Sequence, residues 1–265
     1  MILRPLEPAP ASNNKFVPAW PVVERLQRQP YEECWMITQP SHAALAGELA
    51  AKLEFPKFPT LEADLIRAIA MHDAGWGLPD SQAVIASRSA RHQPPKSFLD
   101  TPVAEFLIAW TQSIDTVQPV SAAGGYIVSR HFWRLAEHRL SHADDRASDR
   151  KKIGAFLFHE TNRQKKLASK QSRSSEGLEQ LTDLLQLCDL LSLYICSGAR
   201  EKVEFPECLG VRLKLSVEAE GYRCEPRLIE KGTQLSVAAL RHPATKEKSG
   251  EEIVIRFLQG GHTFA

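Results

Sequence analysis

Apolar residues fall at three- and four-residue intervals over most of positions 42–196 and at two-residue intervals from 211 to 258, a pattern of helices followed by strands. His42, Leu45, Leu49 and Leu53 share one face of a first helix over 42–53, with Ser41 as its N-cap. Leu65, Ile69, His72 and Trp76 line a second helix, which Gly77, Pro79 and Asp80 are expected to stop. Further helices are predicted over 102–116 and from Ala122 toward Arg139, the latter with Ile127, Val128, His131 and Leu135 on one stripe. A charged helix over 148–170 reads as a solvated face with a thin apolar edge. A helix from Leu178 to Cys196 is apolar almost all round, as a deeply buried one would be. Strands are predicted at 1–6, 33–38, 211–217, 222–229, 235–240 and 253–258, the last four joined in one sheet by one strand from the N-terminus. The expected fold is therefore mainly α, with one small antiparallel β-sheet packed on the helices.

Six prolines within residues 1–30 favour an extended arm there, because proline cannot sit inside a helix or a central strand. Residues 81–101 are polar, contain Pro94-Pro95, and read as a long loop over the core, a candidate lid. The chain divides on this reading into an arm (1–30), a helical core (31–198) and a β appendage (199–265).

With 33 basic against 32 acidic residues the net charge is +1, so no global field draws the chain to nucleic acid or to an anionic membrane. The N-terminus lacks the features of a signal peptide and no window is long enough to span a bilayer, which together predict a cytoplasmic protein. Five cysteines without a CxxC pair fit reduced, mostly buried thiols rather than a disulfide framework.

Four features resist explanation by packing. The adjacent His72-Asp73 ends an apolar helix and offers one neutral nitrogen and one anionic oxygen, a combination suited to a divalent transition metal. His42 and His131 lie on inward stripes. Asp189 is the only ionisable carboxylate between Leu184 and Cys196, where an ionised carboxylate is expensive unless paired or bound to a metal.

The chain order His42, His72-Asp73, Asp189 resembles the HD-domain superfamily of metal-dependent phosphohydrolases and phosphodiesterases. Gln39-Pro-Ser-His42, His72-Asp-Ala-Gly-Trp76, Ser129-Arg-His131 and Cys188-Asp-Leu-Leu-Ser-Leu-Tyr194 look like an uncharacterised bacterial branch of HD-like proteins, known only as a domain of unknown function. The resemblance implies an HD-like helical bundle in which His42, His72, Asp73 and Asp189 bind a first divalent transition metal (Fe, Mn, Zn or Ni). His131 is then a further ligand, of a second ion or of substrate. It also implies a hydrolase acting on a small-molecule phosphate ester through a metal-bound water, with Asp73, His131 and Arg130 as catalytic residues and Arg130 the leading phosphate clamp. Gln39, Asp80 and Lys96 are supporting candidates for orienting ligands or binding substrate. A homodimer is a further expectation, with no nucleic-acid or membrane partner.

One departure stands out: many catalytic HD enzymes carry a basic residue shortly after the pair, where this chain has Ala74-Gly75-Trp76. Two other readings therefore stay open, a di-iron HD-type oxygenase and a non-catalytic, metal-stabilised binding module.

Overall fold

A computed structural model of the chain describes residues 1–7, 14–54, 56–89, 95–218, 221–230, 232–244 and 250–258. The chain opens with strand β1 (Ile2–Pro5), the two-residue strand β2 (Val17–Pro18), helix α1 (Ala19–Gln27) and strand β3 (Cys34–Ile37). Eight of the first helix's nine residues follow or surround Pro21, yet the helix forms. Pro18 caps it and Pro21 lies in its first turn, where a missing N–H leaves no intrahelical bond unmade. The stretch expected as an extended arm thus contributes two strands and a helix, while residues 8–13 lie outside the described residues.

Helix α2 (Gln39–Ala51) starts three residues earlier than the apolar pattern suggests, because Thr38 rather than Ser41 is its N-cap and accepts from the Ser41 N–H. Helix α3 (Ala63–Ala70) ends before His72, and Ala74–Trp76 form a short 3₁₀ turn. Gly77, Pro79 and Asp80, expected as a stop, instead open helix α4 (Gly77–Ser89). Proline is tolerated in a first turn and aspartate there is favoured by the helix dipole. The expected lid is therefore helical up to Ser89, and its residues 90–94 lie outside the described ones. Helices α5 (Val103–Val117), α6 (Ala122–His142), α7 (Ala147–Ala168) and α8 (Ser175–Cys196) follow the predicted pattern closely. Strands β4 (Val203–Glu204), β5 (Lys214–Glu218), β6 (Gly221–Glu225), β7 (Gln234–His242) and β8 (Gly250–Arg256) complete the described chain.

Two sheets are present where one was expected. The first runs β1-β3-β7-β8, all antiparallel, with Ile2 opposite Ile37 and Met36 opposite Leu240; the second runs β2-β4-β5-β6, with β2 parallel to β4. The structure is 54% helix and 18% strand with two four-stranded sheets, so the fold is mixed α/β and the expectation of a mainly α, HD-like helical bundle with one small sheet is corrected. N-terminal strands enter both sheets, and the two-residue strands β2 and β4 are too short to carry an alternating signal.

Two apolar cores share their walls. Leu45, Leu49, Leu187, Leu191, Tyr194 and Ile195 face the core that backs the strands, whereas Ala46, Ala50, Leu181, Leu185 and Cys188 face the core among the helices. Helices α2 and α8 therefore separate the two, each burying both flanks. All five cysteines are buried and free. Among the described residues no helix is long and apolar enough to cross a membrane.

Candidate metal centre

The inward histidines and carboxylates converge where α2, α6, α8 and the turn after α3 meet. His42 sits in the first turns of α2, His72-Asp73 in the turn beyond α3, His131 in the middle of α6 and Asp189 in the middle of α8. His42 and His72 are fully buried, and Asp73 and His131 nearly so. One donor atom each from His42, His72 and Asp189 lie within 4.8 Å of one another. Asp73 Oδ2 is 2.8 Å from His42 Nε2 and 3.7 Å from His72 Nε2. Asp189 Oδ1 is 3.3 Å from His72 Nε2 and 3.8 Å from His42 Nε2, and its Oδ2 is 3.7 Å from His131 Nε2.

Hydrogen bonds on the far side of each ring fix its tautomer. His72 Nδ1 lies 2.7 Å from the Ile69 carbonyl oxygen, which can only accept, so Nδ1 carries the hydrogen. His42 Nδ1 lies 2.9 Å from Ser192 Oγ, and that hydroxyl spends its one hydrogen on the Asp189 carbonyl at 2.8 Å, so it too can only accept from the ring. In the neutral imidazoles both Nε2 lone pairs therefore face carboxylate oxygens. Lone pair against carboxylate at 2.8 Å is repulsive unless a cation, a proton or a metal ion, lies between them. Ligands about 2.1 Å from one ion and at right angles to each other stand about 3 Å apart, close to the separations seen here. The residues present thus fit a divalent ion.

Without a metal, a proton can fill the same gap. Burial opposes charge on His72, but Asp73 and the hydrogen bond and charge of Asp189 outweigh it and push the imidazole up to about 9. Asp189 shows the complement, since burial would raise it while His72 and the other two rings bring it down to about 2. His131 differs: burial, aided by its cationic neighbours, pulls it down to about 4 despite Asp189 and Asp73, and its Nδ1 has no hydrogen-bond partner. Asp189 is the opening of the site, with 14% of its side chain exposed.

Gly75, beside the pair, lets this turn lie against α5. Its N–H donates to Ser113 Oγ at 2.9 Å, and a Cβ there would stand 2.0 Å from the Ala109 carbonyl oxygen. The Ala-Gly-Trp that follows His72-Asp73 is thus the seam between the site and α5.

The family model described as "Protein of unknown function (DUF3891)" matches residues 26–237, which takes in every segment of the site. The chain belongs to the DUF3891 family. No curated protein matches it, and no solved structure does.

The remaining candidates of this DUF3891 chain lie apart from the cluster. Arg130 donates to Glu179 at 3.0 Å and stacks over Trp133, so its guanidinium is engaged away from the histidines. Lys96 is exposed, in the segment that leads to Ser97. Asp80 accepts from the Gln39 N–H at 2.6 Å and from the Met1 ammonium at 3.0 Å, which ties the start of α2 to α4. Gln39 is buried with its Oε1 unpartnered. Two residues beside the cluster were not singled out by sequence reasoning. Ser192 orients His42; it lies within the Cys188–Tyr194 motif of the resemblance but was given no role there. Arg134 bonds Glu179, Asp183 and Gln186 along the half-buried edge of α8, and its charge reaches His131.

Proposed function

We propose that this protein is a metal-dependent hydrolase acting on a small-molecule phosphate ester, with His42, His72, Asp73 and Asp189 as ligands of a divalent ion. The observation that carries the reading is the orientation of two rings: two imidazoles, each with Nδ1–H held by an acceptor, turn Nε2 toward two carboxylates, the atom that ligates once any proton on it is displaced. The order His, His-Asp, Asp is that of the HD-domain superfamily, which supports the choice of reaction. A bound divalent ion supplies Lewis acidity toward a phosphoryl oxygen and a nucleophilic water at neutral pH.

The chain's own residues do the rest. Asp73 and Asp189 hold the cation and balance its charge, and Ser192 and the Ile69 carbonyl keep the two rings in the ligating tautomer. The partial exposure of Asp189 favours a catalytic site over a structural one, since structural metal sites are closed. His131, neutral and unpartnered at Nδ1, faces the same carboxylate and offers a lone pair that could ligate a second ion.

Metal analysis after purification without chelator, followed by turnover of a broad phosphoester panel, tests this reading. Turnover should require the metal and fall at least about a hundredfold in Asp189→Asn. Bound metal with no turnover of any ester overturns the hydrolase. The orphaned His131 equally suits a two-iron centre, and an iron spectrum with dioxygen consumption after anaerobic purification would establish the oxygenase instead.

A further inference from the structure

A second cleft, of about 340 Å³, opens where α8 ends. Gly198 stands nine positions past Asp189, about 13 Å along a helix rising 1.5 Å per residue, so this cleft is separate from the histidine cluster. Arg4, Arg200 and Arg256 line it, brought together from β1, the turn after α8 and the end of β8. Among the described residues its one carboxylate is Glu218, which Arg223 already holds with two hydrogen bonds of 2.5 and 3.0 Å. Glu201, next to Arg200 in sequence, is paired with Arg25. Among the described residues, three guanidinium groups thus share a concave site without a free counter-charge, an arrangement that favours entry of an anion.

The end of a helix is a negative pole and would disfavour an anion. Here Arg4 cancels it. Its Nη1 donates to the Ile195 carbonyl at 2.8 Å, and its guanidinium lies beside Tyr222 on the same wall. The stem of Arg4 reaches this position by lying on Gly198, whose φ of +69° favours glycine and where a Cβ would stand 3.0 Å from Arg4 Cγ. The floor is rigid, because the two sheets join here: Tyr222 bridges Phe257, and the Leu258 N–H donates to the Tyr222 carbonyl at 2.8 Å. Val217 and Val254 supply apolar walls.

We propose that this cleft binds a phosphate-bearing small molecule through Arg4, Arg200 and Arg256. A tetrahedral dianion offers a separate oxygen to each guanidinium, which a single carboxylate does not, and the cleft volume suits a small metabolite. The site is independent of the metal centre and of the reaction proposed there.

Calorimetric titration of inorganic phosphate into the full chain tests it, using the wild type, Arg200→Gln, Arg256→Gln and Asp189→Asn. Arg200 is half-buried and Arg256 exposed, so neither substitution threatens the fold, and a circular-dichroism melt verifies this. Expected is saturable binding that weakens about tenfold in each arginine variant and is unchanged in Asp189→Asn. The proposal is overturned by the absence of saturable binding to the wild type, by arginine variants that bind as well as wild type, or by loss in Asp189→Asn alone, which would place the phosphate at the metal centre. Tighter binding of malonate than of phosphate would also overturn it.

Discussion

Replacing Ser192 by alanine removes a group that touches neither solvent nor, on the reading above, any metal. Its hydroxyl accepts from His42 Nδ1 at 2.9 Å, and without it that buried N–H has no partner, a cost of about 1–3 kcal/mol. The ring has an escape. If the hydrogen moves to Nε2, it points at Asp73 Oδ2, 2.8 Å away, and makes a good charge-assisted bond. The metal-free variant should therefore melt no more than a few degrees below wild type, at about 2–4 °C per kcal/mol for a chain of this size. Metal affinity should suffer far more, because the ligating lone pair is now protonated. Loss of such an orienting partner typically costs about 10–100-fold, or about 1.4–2.8 kcal/mol. Chelator competition measures the affinity, and ¹⁵N chemical shifts of the imidazole report which nitrogen carries the hydrogen. A variant that binds metal within about twofold of wild type, or whose His42 keeps its hydrogen on Nδ1, would refute the tautomer reasoning on which the site rests.

Two other outcomes follow from the same geometry. In the metal-free protein, His72 is held up at about 9 against an ordinary 6.5, so its contribution to stability is complete below about pH 6.5 and is lost as pH rises through 9. Asp189, at about 2, contributes above its ordinary value and loses that contribution as pH falls through 2; His131, at about 4, penalises folding as pH falls from 6.5 toward 4. Because the metal must displace the His72 proton, apparent affinity should climb by about tenfold per pH unit between 7 and 9, and a flat profile there would count against His72 as a ligand. Gly75→Ala should lower stability by about 2–4 kcal/mol and weaken metal binding together, since its Cβ would press on the Ala109 carbonyl and push the His72-Asp73 turn off α5; an unchanged melt would show that this seam yields.

The ligand candidates were legible because charge inside an apolar stripe is costly, and four such costs stood out at His42, His72-Asp73, His131 and Asp189. The structure brings those residues together, although His72 and Asp73 lie in the turn after α3 rather than on it. Arg130 was less legible: helical spacing placed it beside His131 in sequence, but successive helical residues diverge by about 100°, and its guanidinium faces Glu179. The helices α1 and α4 were hidden by prolines that occupy first turns, where the residue that usually breaks a helix does no harm. The second sheet was hidden because β2 and β4 are two residues long, and pairing between distant segments leaves no periodic trace. Ser192 could not be found without coordinates, since its role depends on where its single hydrogen goes.

Helix α8 presents Leu181, Leu185 and Cys188 to one apolar interior and Leu187, Leu191 and Ile195 to the other, with Asp189 between them. A chain cut after residue 198 would keep that helix but strip much of the cover from one of its flanks, along with that of Leu45 and Leu49 of α2, leaving apolar surface in water. The strand half and the helical half are thus two sides of a single partition wall, and neither half can be expected to stand when the other is removed.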